Sequence, residues 1–461
     1  MQTHLRTFLP AAVCLLMALM FVGSRECAAQ APPAKTAAPA APLPRSDANG
    51  NPLRRAPTGH VSNYDEAKVG TYMLPDPLVL ANGQPVRDAD AWLKQRRPEI
   101  LKLYETHIFG RVPERAPKVT WTVAETDTKA MDGTAVRKHI VGRIGDGPDA
   151  LTVNLSLLLP AKASGPVPVL MQMNFFGNPP AGAQAAAPKS TDSKSPPTAP
   201  ATGKAPGKAP GAGTPIADFL ARGYGYATFR YTEFQPDNAT NALRGVVGLA
   251  LAPGQAKPAA DDWGVISAWA WGASRVLDYF ETDRAVDAKR VALIGHSRLG
   301  KTVLWAGARD PRFAVMFSSC SGEMGASLAR RDFGETVDDM AANFPWQFCG
   351  NFQKFSGKWN DMPVDAHMVI ALNAPRPVFV TGGTQDQWAD PHGEFLAQVA
   401  AGPVYRLLGK KDLGVTKLPA LDTPLTSGEL GFHYHTGGHT TTPADWKAFL
   451  EFAERYLKPV L

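Results

Sequence analysis

With 461 residues and 44% apolar side chains, the chain can bury a large core, either as one extended α/β sheet or as roughly two or three average domains. Its formal charge of +6 does not mark a nucleic-acid binder. The basic excess sits in two low-complexity stretches, with Lys35, Arg45, Arg54 and Arg55 against Asp47, and Lys189, Lys194, Lys204 and Lys208 against Asp192. The remaining body is close to neutral and offers no concentrated basic face.

Met1 to Arg6 is basic, Phe8 to Gly23 is an apolar run, and small residues follow at Ala28, Ala29 and Ala31. This is the plan of a secretory signal peptide over 1–29, and the run falls short of the roughly 20 residues of a spanning helix. An exported protein without a membrane anchor is expected, in the periplasm or the medium. Once the signal is removed, Cys320 and Cys349 are the cysteines that remain, either as one disulfide or as two buried thiols. Residues 30–60 are rich in alanine and proline and poor in large apolar side chains, which predicts a disordered tether.

A single domain is expected over 61–461, with folded sequence starting near Tyr64. Asp88 or Asp90 can cap a helix whose apolar positions run from Trp92 to Ile108. Val119 to Glu125, Ala135 to Val141 and Leu151 to Leu159 alternate like antiparallel strands, and Val167 to Met173 reads as a buried strand. Residues 179–215 consist almost wholly of Ala, Pro, Gly, Lys, Ser and Thr and cannot pack, so they form a low-complexity insertion within the domain. A helix at Ile216 to Arg222, a strand at Tyr226 to Tyr231 and a long helix at Trp263 to Phe280 follow. Further strands at Phe313 to Ser318 and Pro377 to Gly383 and a final helix from Ala444 to Leu457 complete the alternation. That order predicts a mostly parallel sheet with helices on both faces, an α/β three-layer sandwich. No repeat or coiled-coil pattern is visible, so a monomer is expected.

Between the long helix and the strand at Phe313 lies Arg290 to Lys301, a β-branched apolar run ending in Gly295-His296-Ser297-Arg298-Leu299-Gly300-Lys301 and leading into a buried helix. Strand, tight turn and helix form the nucleophile elbow of α/β-hydrolases, with Ser297 at the turn. The usual motif has glycine where this chain has Leu299; here the glycine is Gly300. The same fold supplies its acid after a later strand and its base before the last helix. Asp386, in Thr384-Gln385-Asp386, and His439, in Gly437-Gly438-His439, occupy those places. Asp390, followed by proline, reads as a turn or cap residue. His433 and His435 alternate as on a strand and read as structural, and a metal pair there lacks a companion carboxylate at ligand spacing.

The segment Gly295 to Lys301 resembles the Gly-x-Ser-Arg-x-Gly-Lys signature of glucuronoyl esterases, carbohydrate esterase family 15. The resemblance extends to Tyr72-Met73-Leu74-Pro75-Asp76-Pro77-Leu78, Asn174-Phe175-Phe176-Gly177-Asn178, Phe333-Gly334-Glu335-Thr336 and Gln385 to Pro391. It implies the α/β-hydrolase fold and a serine esterase acting on esters between (4-O-methyl)glucuronate branches of xylan and lignin alcohols. In that case Ser297 is the nucleophile, His439 the base and Arg298 an oxyanion stabiliser, while Lys301, Glu335 and Trp388 hold the sugar. No cofactor and no metal are implied.

Many family members place a glutamate at the position of Cys320. A thiol cannot replace that carboxylate, so the acid role falls to Asp386, as in the bacterial branch, with Glu323 as understudy. On the residues alone, Arg298 could cap the next helix, Lys301 could be solvated, Glu335 could pair with Arg330 or Arg331, and Trp388 could be core. Two other functions stay open: another carbohydrate esterase, such as one removing acetyl groups from xylan, and a catalytically silent glycan-binding homologue.

Overall fold

The computed structural model describes residues 43–176 and 213–459. The expected signal peptide, the tether up to residue 42, Gly177-Asn178 and the insertion over 179–212 lie outside the described residues.

Among the described residues nine strands form one sheet: β1 (Val119–Ala130), β2 (Ala135–Ile144), β3 (Leu151–Pro160), β4 (Val167–Asn174), β5 (Gly225–Arg230), β6 (Val286–His296), β7 (Val315–Ser319), β8 (Val378–Gly383) and β9 (Leu430–His435). Their spatial order is β1-β2-β3-β5-β4-β6-β7-β8-β9. The first three strands and the β3–β5 pair are antiparallel, and every later neighbour is parallel. Antiparallel neighbours need only tight turns, whereas parallel ones need a crossover. Helices Ile216–Ala221, Val265–Phe280, Arg298–Arg309 and Pro391–Leu407 lie in those crossovers.

Side-chain alternation divides each central strand between two cores. Val169, Met171, Val291, Leu293, Met316, Val378 and Val380 join the larger cluster with the long helices. Leu170, Ala292, Ile294, Val315, Phe317 and Phe379 face the other side and meet Trp446, Phe449 and Phe452 of the closing helix Pro443–Leu457. Because a strand sends successive side chains to opposite faces, a run apolar at every position must be covered twice. The result is a three-layer sandwich. Each fully buried aromatic, such as Phe449 stacked on Phe317 at 4.5 Å, contributes about 1.5–3 kcal/mol.

The N-terminal expectation is corrected in part. Residues 43–62 are placed in turns with bridges Ser46↔Pro52 and Arg55↔Val61, so ordered chain begins well before Tyr64. Hydrogen bonds replace apolar burial as the anchor there. The Asp47 carboxylate accepts from the Asn49 and Asn51 backbone, and the Tyr64 hydroxyl donates to the Pro52 carbonyl at 2.6 Å. Composition reports a missing core but says nothing of such bonds. Asp88 does cap the first helical stretch, accepting from Ala91 N–H at 2.8 Å. Cys320 and Cys349 are both buried free thiols.

Among the described residues, no helix is long and apolar enough to cross a membrane.

Candidate active site

The C-terminal ends of the parallel strands converge on one edge, where His296 pairs with Ser319, Ser319 with Thr381, and Gly383 with His435. Loops leaving that edge build the site, as open α/β sheets require. β6 ends at His296, and Ser297 turns the chain with φ 58° and ψ −129° before the helix begins at Arg298. A side chain held there costs about 1–3 kcal/mol, which the surrounding structure must offset. The Ser297 N–H donates to the Ser319 carbonyl at 2.8 Å and its carbonyl accepts from Gly300 N–H at 2.8 Å. A Cβ on Gly295 would lie 2.3 Å from the Leu299 carbonyl oxygen, and one on Gly300 would lie 2.9 Å from Ser318 Oγ and Ser321 Cβ. The close approach thus falls at 300, leaving Leu299 free to be a fully buried core residue.

The Asp386 carboxylate meets His439 Nδ1 at 2.7 Å. Their loops lock together: Gln385 N–H donates to the Gly437 carbonyl at 2.7 Å, and Gly383 lies so near Gly438 that a Cβ would fall 2.5 Å from its oxygen. A carboxylate on Nδ1 fixes the tautomer in which Nε2 can accept a proton. Beside this pair lies His296, its ring centroid 4.5 Å from that of His439. Burial, followed by the charge of His439, pushes the His296 imidazole down to about 3, so it stays neutral next to the candidate base.

The other acid candidates sit elsewhere. Asp390 caps the helix Pro391–Leu407 through Gly393 N–H at 2.9 Å and pairs with Arg331 at 2.8 Å. Glu323 is fully buried, does not line the cleft, and burial pushes its carboxyl well up. The Cys320 thiol lies 3.6 Å from the Thr440 carbonyl, and burial, with the charge of Asp386 added, raises it well above its ordinary value.

A cleft of about 380 Å³ is lined by Ser297, Arg298, Lys301, Glu335, Asp386, Trp388 and His439, so all seven residues singled out in the sequence meet in one place. The plainer alternatives do not hold. Arg298 Nη1 reaches Asp237 at 2.5 Å, Lys301 is buried and donates to the Ser321 carbonyl at 2.8 Å, and Glu335 faces Lys301 at 3.8 Å. Arg330 pairs with Asp365, and Arg331 with Asp390 and Glu66, leaving Glu335 to the cleft. Trp388 is only partly buried. Burial lowers Lys301 and raises Glu335, and the attraction between them opposes both shifts.

Several contributors escaped sequence reasoning. Asp237 accepts from Arg298, from the Tyr231 hydroxyl at 3.0 Å, from Trp346 Nε1 at 2.9 Å and from Gln347 Nε2 at 3.1 Å. Its position shortly after β5, on the edge where sites form, was the available signal. Glu394 is fully buried, and its Oε1 accepts from Gly322 N–H at 2.9 Å and Ser321 Oγ at 3.1 Å, so it sets the loop that carries the Lys301 acceptor. Burial, reinforced by the charge of Asp386 and only partly opposed by the hydrogen bonds from Gly322 and Ser321, pushes Glu394 up to about 8.

Among the described residues, two clusters have metal-ligand chemistry. His433 and His435 share Oδ1 of Asp445 at 2.7 and 3.1 Å, so the fold brings a carboxylate that spacing along the chain concealed. Hydrogen bonds account for this buried group, because Asp445 Oδ2 also closes the capping box with Thr442. Cys320, Asp386 and His439 form the second cluster, whose His–Asp bond is the one described above.

A family profile described as "Glucuronyl esterase, fungi" matches residues 258–409. A carbohydrate esterase from an unknown prokaryotic organism is 40% identical over 400 residues, 86% of this chain and 92% of that protein. The structure of a glucuronoyl esterase from Solibacter usitatus is 43% identical, covers 84% of this chain and 99% of its own, and superposes with a TM-score of 0.76. A glucuronoyl esterase of the same class from Teredinibacter turnerae, 36% identical, covers 87% of this chain and 95% of its own with a TM-score of 0.73.

Proposed function

Because the chain belongs to the glucuronoyl esterases of carbohydrate esterase family 15, and is thus an α/β-hydrolase of the carboxylic ester hydrolase class, we propose that it cleaves esters between (4-O-methyl)glucuronate branches of xylan and lignin alcohols. The observation that carries this reading is the convergence of Ser297, the His439–Asp386 pair, Arg298 and the Lys301–Glu335 pair on one cleft.

In the proposed mechanism Ser297 Oγ attacks the ester carbonyl while His439 Nε2 takes its proton, and Asp386 steadies the imidazolium. Arg298 lies against the developing oxyanion, where a single donor in a dry site is worth about 3 kcal/mol. The intermediate collapses, His439 protonates the departing alcohol, and a glucuronoyl ester remains on Ser297. Water, deprotonated by His439, then releases the acid. Lys301, Glu335 and Trp388 orient the sugar ring by hydrogen bonds and apolar contact.

A cleft suited to acetyl groups alone would have little use for a buried Lys–Glu pair beside the serine, which disfavours the acetyl esterase alternative. The intact His–Asp pair disfavours a silent binding protein. The sequence of residues 1–29 supports export to the periplasm or medium, and the enzyme is proposed to act as a monomer.

The test is hydrolysis of benzyl glucuronate beside an acetylated xylo-oligosaccharide, by the wild type and Ser297→Ala. Benzyl alcohol released by the wild type alone, with little acetate, is expected. Dominant acetate release would overturn the substrate assignment, and activity persisting in Ser297→Ala would overturn the nucleophile.

A further inference from the structure

The segment expected to be a tether reaches the cleft. Arg54 N–H donates to Ser62 Oγ at 3.0 Å and the Arg54 carbonyl accepts from Ser62 N–H at 3.1 Å, closing a turn whose one buried apolar side chain is Ala56. That turn is tied to the insertion between β7 and β8. His60 pairs with Asp332 at 3.0 Å, Thr58 hydrogen-bonds Asp338, and Gly334 N–H donates to the Asn63 carbonyl at 2.8 Å. It presents Pro52 and Arg54 to the same cleft as Ser297.

The other cations of the cleft are matched, Arg298 by Asp237 at 2.5 Å and Lys301 by Glu335 at 3.8 Å, and the candidate base His439 has Asp386. Arg54 differs. Glu335 and Asp339 sense its charge, yet among the described residues no carboxylate ion-pairs with its guanidinium, which lies over the face of Trp388, 4.8 Å from the ring centroid. A guanidinium laid on an indole keeps its in-plane N–H donors free, and their fork geometry matches a carboxylate. The scissile uronate is esterified and carries no charge at its carboxyl group, so the charge of Arg54 suits a different carboxylate.

We propose that Arg54, fixed over Trp388 by the turn closed by Ser62, is an anion-binding subsite of the cleft that takes a free sugar carboxylate, separate from the ester carbonyl facing Ser297. The inference rests on the esterase reading above. The carboxylate has two sources, the released glucuronate product or a neighbouring unesterified uronate on the same glycan.

Binding to Ser297→Ala, measured by calorimetry, separates them without depending on turnover. One pair of probes is glucuronate and its uncharged amide. The other is a xylo-oligosaccharide with one esterified and one free glucuronate, compared with the same molecule after reduction of the free acid to the alcohol. A preference of about tenfold for the charged member, corresponding to one charge-assisted contact, is expected in one pair. Adding Arg54→Gln abolishes that preference and Arg54→Lys keeps part of it. Preference in the first pair identifies the product, and in the second the neighbouring side group. Absence of preference in both pairs, or its persistence in Arg54→Gln, overturns the subsite. Should Arg54→Gln not fold, loss of the preference at high salt with Arg54 intact supports the subsite and its persistence overturns it. Failure of the esterase reading would appear separately, as wild-type enzyme inactive on benzyl glucuronate.

Discussion

Two histidine–aspartate groups stand a few residues apart and share a bond length, yet their surroundings differ. His439 meets Asp386 at 2.7 Å with 44% of the histidine side chain exposed to the cleft, whereas His433 meets Asp445 at 2.7 Å with both partners almost fully buried. Proton transfer to a substrate needs access, and the first group has it. The second holds the architecture: Asp445 caps the last helix, and His435 spans from Asp445 to the Gly438 carbonyl at 3.4 Å, one residue before His439. Burial, more than residue type, divides chemistry from support.

The sharpest way to break this comparison is Asp386→Asn. It should lower kcat roughly ten-thousandfold by disturbing the His439 tautomer, with little change in the thermal midpoint. If Asp445→Asn cost the same rate, the division would fail.

Asp237→Asn extends the comparison to a carboxylate that serves the cleft from behind. Loosening Arg298 should cost about tenfold to a hundredfold in kcat with a smaller change in KM, read by steady-state kinetics on benzyl glucuronate.

Asp445→Asn should instead appear in stability, by about 3–5 kcal/mol in denaturant unfolding, because a buried charged partner is lost. Its sign with pH is fixed by two groups. Burial opposes the charged form of each, but mutual hydrogen bonding prevails, holding Asp445 down at about 2 and raising His435. The Asp445 contribution is present above its unfolded value near 3.8 and lost as pH falls through about 2. The His435 contribution is full below 6.5 and lost as pH rises through its raised value. The stability deficit of Asp445→Asn should therefore narrow at both ends of the pH range.

Glu394→Gln gives the clearest sign. With its carboxyl near 8 when folded and 4.5 as the reference, the folded state holds one proton more than the unfolded state between those values. Stability of the wild type then falls as pH rises from 4.5 to 8, and the glutamine variant, lacking that loss, should melt a few degrees higher at pH 9 but not at pH 4.

Much of the fold was legible because it rests on local periodicity. Runs such as Val291 to Ile294, apolar at every position, called for two covered faces, and the motif around Ser297 called for a turn between strand and helix. The chain order of Ser297, Asp386 and His439 named the candidate site because each follows a strand end in a known topology. Asp237 and Glu394 left no comparable mark. One lies in a loop and the other on a helix, and each acquires its role from partners far along the chain. Arg54 was hidden further still, within a stretch whose composition predicts no core.

By itself the sequence determined the alternation of strands and helices, the elbow and the residue types that can carry acyl transfer, since these follow from spacing and side-chain chemistry. The tertiary structure alone decided that the turn at Arg54 packs against Trp388, that Asp237 holds Arg298, and that Asp445 joins two histidines. Those relations depend on hydrogen bonds and burial between segments remote in the chain, to which no local pattern is sensitive.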